Sequence, residues 1–271
     1  MSSAEPSRKK IGLALSGGAA RGLAHIGVLE VLHKEGIPID MIAGTSAGAV
    51  AGAVYASNRD IARMKKEVLE VNWMKIAPLI DLSLFKGGLI KGTKIKGLLA
   101  SYVGGNIKFS DLKIPFACVA SDIETGEEII IDSGSVPEAL RASISVPGIF
   151  AVVKHEGRYL VDGGLTTPVP VSVAKKMGAD FIIAVNVTPD VSNRVQKIRK
   201  EPSIFHVLMQ SIYITTYAMA QHNLEDADIV IEPDIAHLGA GDFQKAKELI
   251  RRGGQATQNA IPEIKKRLEN L

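Results

Sequence analysis

The first sixty residues run twice through one plan: apolar strand, glycine-rich turn, helix. "KIGLALS" (10–16) reads as a buried strand broken by the glycines of "GGAARG" (17–22). "LAHIGVLEVLHKEG" (23–36) carries apolar residues at helical spacing and stops at Gly36, shortly before Pro38. "IDMIAGTS" (39–46) is a second strand and "AGAVAGAVYASN" (47–58) a helix of small residues. Two β–turn–α units in series imply a parallel sheet with right-handed crossovers. Both turns then lie at the same carboxyl edge. This constrains the chain to the α/β class.

The same alternation continues downstream. Residues 59–111 read as mainly helical and irregular, with Lys86, Lys91, Lys94 and Lys96 among glycines. Strands are expected at 115–122 and 127–133 around a turn, then a helix over 136–145 with Pro137 near its first position. "RYLVDGG" (158–164) reads as a strand entering a turn, 170–179 as a helix and 181–187 as a strand. Basic "NRVQKIRK" (193–200) reads as a surface loop, 203–222 as a long helix and 227–233 as a strand. A C-terminal helical stretch from Asp242 is expected to break at Gly253-Gly254. With no repeat and no linker, the expectation is one α/β domain over 8–271, its core motifs in 10–190, behind a flexible N-terminus (1–7).

Composition narrows the partners. Net charge is only +3 and aromatic residues make up 5%, which argues against nucleic acid. The mild basic excess leaves room for peripheral contact with an anionic membrane, although a solvated surface is the default reading. Cys118, the single cysteine, sits in apolar "FACVAS" and reads as a small buried hydrophobe. No apolar run approaches the ~20 residues of a membrane span, and "IGLAL" is too short for a signal sequence. The expected location is the cytoplasm, with the inner membrane face as a peripheral option. No His/Cys/Asp cluster has metal-ligand spacing, so neither metal nor cofactor is expected. Oligomeric state is not legible.

Three turns carry chemistry. Gly44, Ser46 and Gly48 form G-x-S-x-G between a strand and a helix, the context of a nucleophile elbow; a helix N-cap serine is the bland alternative. "SGGAARG" (16–22) also joins strand to helix. It suits a phosphate loop or an oxyanion hole, and Ala19 breaks the dinucleotide spacing G-x-G-x-x-G. "VDGG" (161–164) ends a strand with Asp162, either a base for Ser46 or part of an ordinary turn. A free aspartate, with a pKa of ~3.9, is a poor base unless shielded and aimed.

In this order, "GGAARG", "GTSAG" and "DGG" resemble the bacterial patatin-like phospholipase family, over roughly 10–190 and including "ALRASISVPGIF" (139–150). The resemblance implies a three-layer α/β/α sandwich with a mainly parallel central sheet. It also implies a lipid acyl hydrolase of the phospholipase A, lysophospholipase or esterase kind, working through a Ser–Asp dyad and an acyl-enzyme. Ser46 would be the nucleophile, Asp162 its base, and the amides of Gly17, Gly18 and Ala19 the oxyanion hole. Arg21 matches the basic residue of the glycine motif; Gly22, Gly44, Gly48, Gly163 and Gly164 would support the turns. The substrate would be a lipid or other acyl ester. Two positions depart from the pattern: Ala19 stands where many members have a third glycine, and Thr167 where Asn is expected before Pro168.

Rivals remain at this stage. A Ser–His–Asp esterase or thioesterase would need a late histidine, and His237 is the best placed of six; His25 and His33 lie on the first helix. An acyl-carrier acyltransferase would carry a histidine before the nucleophile, where this chain has Thr45. A non-catalytic lipid- or protein-binding module is the third. The helix around 204–220, with Ile204, Phe205, Leu208, Ile212, Tyr213, Tyr217 and Met219, suits core packing, an acyl tunnel or a dimer interface.

Overall fold

The computed structural model describes residues 8–70, 93–188 and 201–271. The readings made for 1–7, for Lys86 and Lys91, and for 193–200 lie outside these residues. Among the described residues, eight strands form one sheet: β1 (Ile11–Leu15), β2 (Met41–Thr45), β3 (Phe116–Asp122), β4 (Glu128–Ile131), β5 (Val153–His155), β6 (Arg158–Asp162), β7 (Phe181–Val185) and β8 (Ile229–Ile231). Hydrogen bonding runs in the order β5-β6-β3-β2-β1-β7-β8, with β4 also on β3. The central pairs β3–β2, β2–β1, β1–β7 and β7–β8 are parallel, as the two leading β–turn–α units require.

The central strands β1, β2, β3 and β7 are buried on both faces, and alternate residues feed two cores. Leu13, Ile42, Cys118 and Ile183 face one side, where they meet α1 (Ala24–Lys34), α2 (Ala47–Asn58), α3 (Ile61–Glu70), α4 (Thr93–Val103) and α5 (Val136–Ser143). The last helix, α8 (Ala246–Glu269), packs on that side too. Ala14, Ala43, Ala117 and Ala184 face the other, where α6 (Val171–Lys176) and α7 (Ile204–Asn223) lie. The result is an α/β/α sandwich.

Two features depart from the sequence reading. The strand ending at Asp162 is antiparallel to β3, and it has an unforeseen hairpin partner, β5. Glu156 and Gly157, both at positive φ (47° and 83°), make the two-residue turn between them. The second is the C-terminal helix, which runs unbroken through Gly253-Gly254. A Cβ on Gly253 would sit 2.0 Å from Ala24 O, and one on Gly27 would sit 1.9 Å from Ile250 O. These glycines let α1 and α8 cross backbone to backbone. Tertiary contact outweighs the propensity cost that suggested a break.

Neighbouring glycines are therefore expected to behave oppositely. Gly253→Ala overpacks the crossing and is expected to destabilise by about 1–3 kcal/mol. Gly254, whose Cβ would find nothing closer than 3.5 Å, gains helix propensity as Ala, up to about 1 kcal/mol. Thermal melts of the two variants check this: equal shifts would mean the crossing is looser than described.

Candidate active site

β3 explains how Ser46 and Asp162 meet. Cys118 and Val119 pair with both β2 and β4; Ala120 and Ser121 pair with both β4 and β6. A strand has two hydrogen-bonding flanks, so β2 and β6 both lie opposite β4, end to end along one flank. Thr45 is level with Val119 and Asp162 with Ala120. The carboxyl end of β2 thus runs head-on into the carboxyl end of β6, and the next residue of β2 is Ser46.

Ser46 sits on a strained turn, at φ 53° and ψ −120°, between β2 and α2. Such a conformation costs on the order of 1–3 kcal/mol, so the surroundings must enforce it. They do so by close approach: a Cβ on Gly44 would lie 2.5 Å from Ala49 Cα, and one on Gly48 2.2 Å from Leu15 O. Ser46 N–H donates to Ser143 Oγ at 2.9 Å. The hydroxyl donates to Asp162 Oδ2 at 2.6 Å, while Gly164 N–H donates to Asp162 Oδ1 at 2.8 Å. Asp162 N–H is held by Ser145 O at 3.0 Å, and Asp162 O accepts from Ser121 Oγ at 3.0 Å. Burial raises the Asp162 pKa to about 6, although the bonds from Ser46 and Gly164 favour the carboxylate.

The glycine turn lies against this pair, since a Cβ on Gly17 would come within 3.3 Å of Ser46 Cβ. Buried His25 binds Ser16 O through Nε2 at 2.9 Å. In a trans peptide the Gly17 N–H then points the opposite way, and it donates to Pro168 O at 3.1 Å. Gly17 is therefore not a free donor, which corrects the trio read from the sequence. Gly18 and Ala19 N–H have no intramolecular acceptor among the described residues. Ala19 adopts φ 50°, the region its glycine relatives would enter freely. Arg21 is buried, its Nε donating to Leu238 O at 2.8 Å, and Gly22 packs on Ala47. Gly163 packs on Val119 O.

A family model described as Patatin-like phospholipase matches residues 13–175. The chain belongs to this family. An uncharacterized NTE family protein of Mycobacterium tuberculosis is 37% identical over 183 residues, covering 67% of this chain and 50% of that protein. A lysophospholipase of Debaryomyces hansenii is 35% identical over 187 residues, 67% of this chain but 12% of that protein. The chain thus spans half the length or less of these two relatives. Among solved structures, VipD from Legionella pneumophila superposes with a TM-score of 0.56 at 13% identity, covering 95% of this chain and 67% of that one. That likeness concerns the fold.

Within this patatin-like fold no histidine bonds Ser46 or Asp162 among the described residues. His237 contacts Glu248 at 3.2 Å on an exposed surface and His33 contacts Tyr55. Burial lowers the His25 pKa to about 4, so this imidazole is neutral at pH 7. Burial pushes the Cys118 thiol up, in keeping with an inert hydrophobe. Thr167, the departure in the third motif, secures its loop by other means. Its N–H donates to Gly163 O at 2.8 Å, and its carbonyl accepts from Thr45 Oγ1 at 2.8 Å. The hydroxyls of Ser121 and Ser143 and the carbonyl of Ser145 hold the backbone of the site, and the sequence reading singled out none of the three. Ser143 lies 97 residues from the amide that it accepts from, a separation that neither spacing nor composition marks.

Proposed function

We propose that this chain hydrolyses carboxylic esters of lipids through a Ser46–Asp162 dyad. The observation that carries this reading is the direct 2.6 Å bond between Ser46 Oγ and Asp162 Oδ2, with no imidazole between them. Ionised Asp162 takes the hydroxyl proton as Ser46 Oγ attacks the ester carbonyl. The carbonyl oxygen becomes an anion, for which the amides of Gly18 and Ala19 are the available donors. The N-terminus of α2 adds its partial positive charge. Collapse expels the alcohol, which receives the proton from Asp162, and leaves an acyl-enzyme on Ser46. A water activated by Asp162 then attacks that ester, and the carboxylic acid departs as Ser46 regains its proton. Family membership supports a lipid acyl group, as does the likeness to the lysophospholipase of Debaryomyces hansenii.

A fluorophosphonate probe tests the nucleophile: it should label Ser46 and nothing in Ser46→Ala. An inert Ser46 in a folded protein would return the reading to a binding module.

The pH profile tests the base. Attack needs Asp162 ionised, and its raised pKa lies at about 6. The rate is expected to fall about tenfold per unit below that value and to level off above it. This limb resembles that of an imidazole, so it must persist in each His→Ala variant. A limb that disappears with one histidine would identify a triad instead.

A further inference from the structure

Helix α7 has no Asp, Glu, Lys or Arg in its 20 residues, and only Met209 and Ala220 are buried. Ile204 is 85% exposed, and Val207, Leu208 and Ile214 are 44%, 45% and 52% exposed. The inner side of α7 touches both turns that flank Asp162. A Cβ on Gly148 would meet Phe205 at 3.3 Å and Leu208 at 3.6 Å, three residues beyond the carbonyl that holds Asp162 N–H. Farther along, Thr216 Oγ1 donates to Gly164 O at 3.4 Å.

We propose that the outer stripe of α7 docks the enzyme on a lipid surface. The proposal rests on the lipid-ester reading for its purpose, while its own evidence is the face itself. Charge favours this occupant. A charged side chain in hydrocarbon is strongly unfavourable, and α7 has no Asp, Glu, Lys or Arg. Area argues against a second copy. A 20-residue helix offers a strip of about 30 by 10 Å, less than half the ~800 Å² that each partner gives to a stable interface. A lipid surface sets no such minimum, because a helix lying in its plane sinks only its apolar face. No described helix is long and apolar enough to cross a membrane, which leaves α7 lying flat.

The test uses the full chain carrying Ser46→Ala, sedimented with phosphatidylcholine vesicles. Binding that resists high salt is expected, and Ile204→Asp with Val207→Asp should weaken it by about tenfold or more. In the active chain the same pair should leave turnover of a water-soluble short-chain ester within about twofold, while vesicle hydrolysis drops with binding. The proposal falls if the pair leaves vesicle binding intact, or if binding needs anionic lipid and vanishes in salt. It also falls if light scattering finds a dimer that the pair dissociates. A chain that binds vesicles through this face but hydrolyses no ester would sink the catalytic reading and leave the docking face standing.

Discussion

Asp162→Asn is expected to abolish ester hydrolysis and, at the same time, to stabilise the protein. The amide cannot take the Ser46 proton, and loss of a catalytic base of this kind lowers turnover by about 10⁴-fold. The gain in stability follows from the same burial. Asp162 has a folded pKa of about 6, against an ordinary value of 3.8. Because the folded value is the higher one, the unfolded chain releases its proton first as pH rises. Folding stability is therefore lost between pH 4 and 6, by about 3 kcal/mol in all, and stays lost at neutral pH. Asn carries no charge to desolvate. Its oxygen can still accept from Gly164 N–H, and its amino group can donate to Ser46 Oγ. The variant should melt several degrees higher than the parent at pH 7, with the difference vanishing near pH 4. Melting curves at both pH values, read beside activity, check the two halves. A variant that is inactive because it is misfolded would melt lower, and an active one would remove Asp162 as the base. Under the dyad, His237→Ala and each other His→Ala keep most of their activity.

Gly18→Ala is the second large effect, and it acts through the backbone. Gly18 packs so closely on β7's continuation that a Cβ would lie 2.7 Å from Val187 Cγ2 and 3.3 Å from Val187 O. Relief requires the loop to move away from Val187, and its N–H moves with it. Complete loss of one oxyanion donor lowers kcat by about 10²–10³, so a displaced donor should lower it by about 10–10². The loss should appear in kcat more than in KM, because the anion exists only in the transition state. Ala19→Gly is the matched control: it relaxes φ 50° and keeps the amide, so activity should stay near the parent's. If Gly18→Ala shows the parent's kcat, or shifts KM alone, these amides are not the oxyanion donors.

The elements around the Ser46–Asp162 pair differ sharply in how far the sequence disclosed them. Strand and helix identity near Ser46 were legible because "KIGLALS" and "IDMIAGTS" are short apolar runs that glycines terminate, and local propensity needs no partner to be read. Glycines within α8 misled for the complementary reason. A break and a backbone-to-backbone crossing use the same residue, and only the presence of Gly27 on α1 distinguishes them. Gly17 shows the same limit. Its amide looked available, but His25 turns the preceding carbonyl toward α1 and hands the N–H to Pro168.

The order of the three motifs, the residues offering a hydroxyl, a carboxylate and bare amides, and the parallel run of β1 and β2 were determined by the sequence alone, since each depends on local pattern or covalent order. What only the tertiary structure decided is that Asp162 faces Ser46 at all. An antiparallel strand would ordinarily deliver its carboxyl end to the opposite edge of the sheet. Here β3 outlasts β2, β6 takes the vacant part of that flank, and two strands running toward each other stop where their last side chains meet. Strand length and flank sharing are set by long-range hydrogen bonding, which leaves no periodicity in the chain to read.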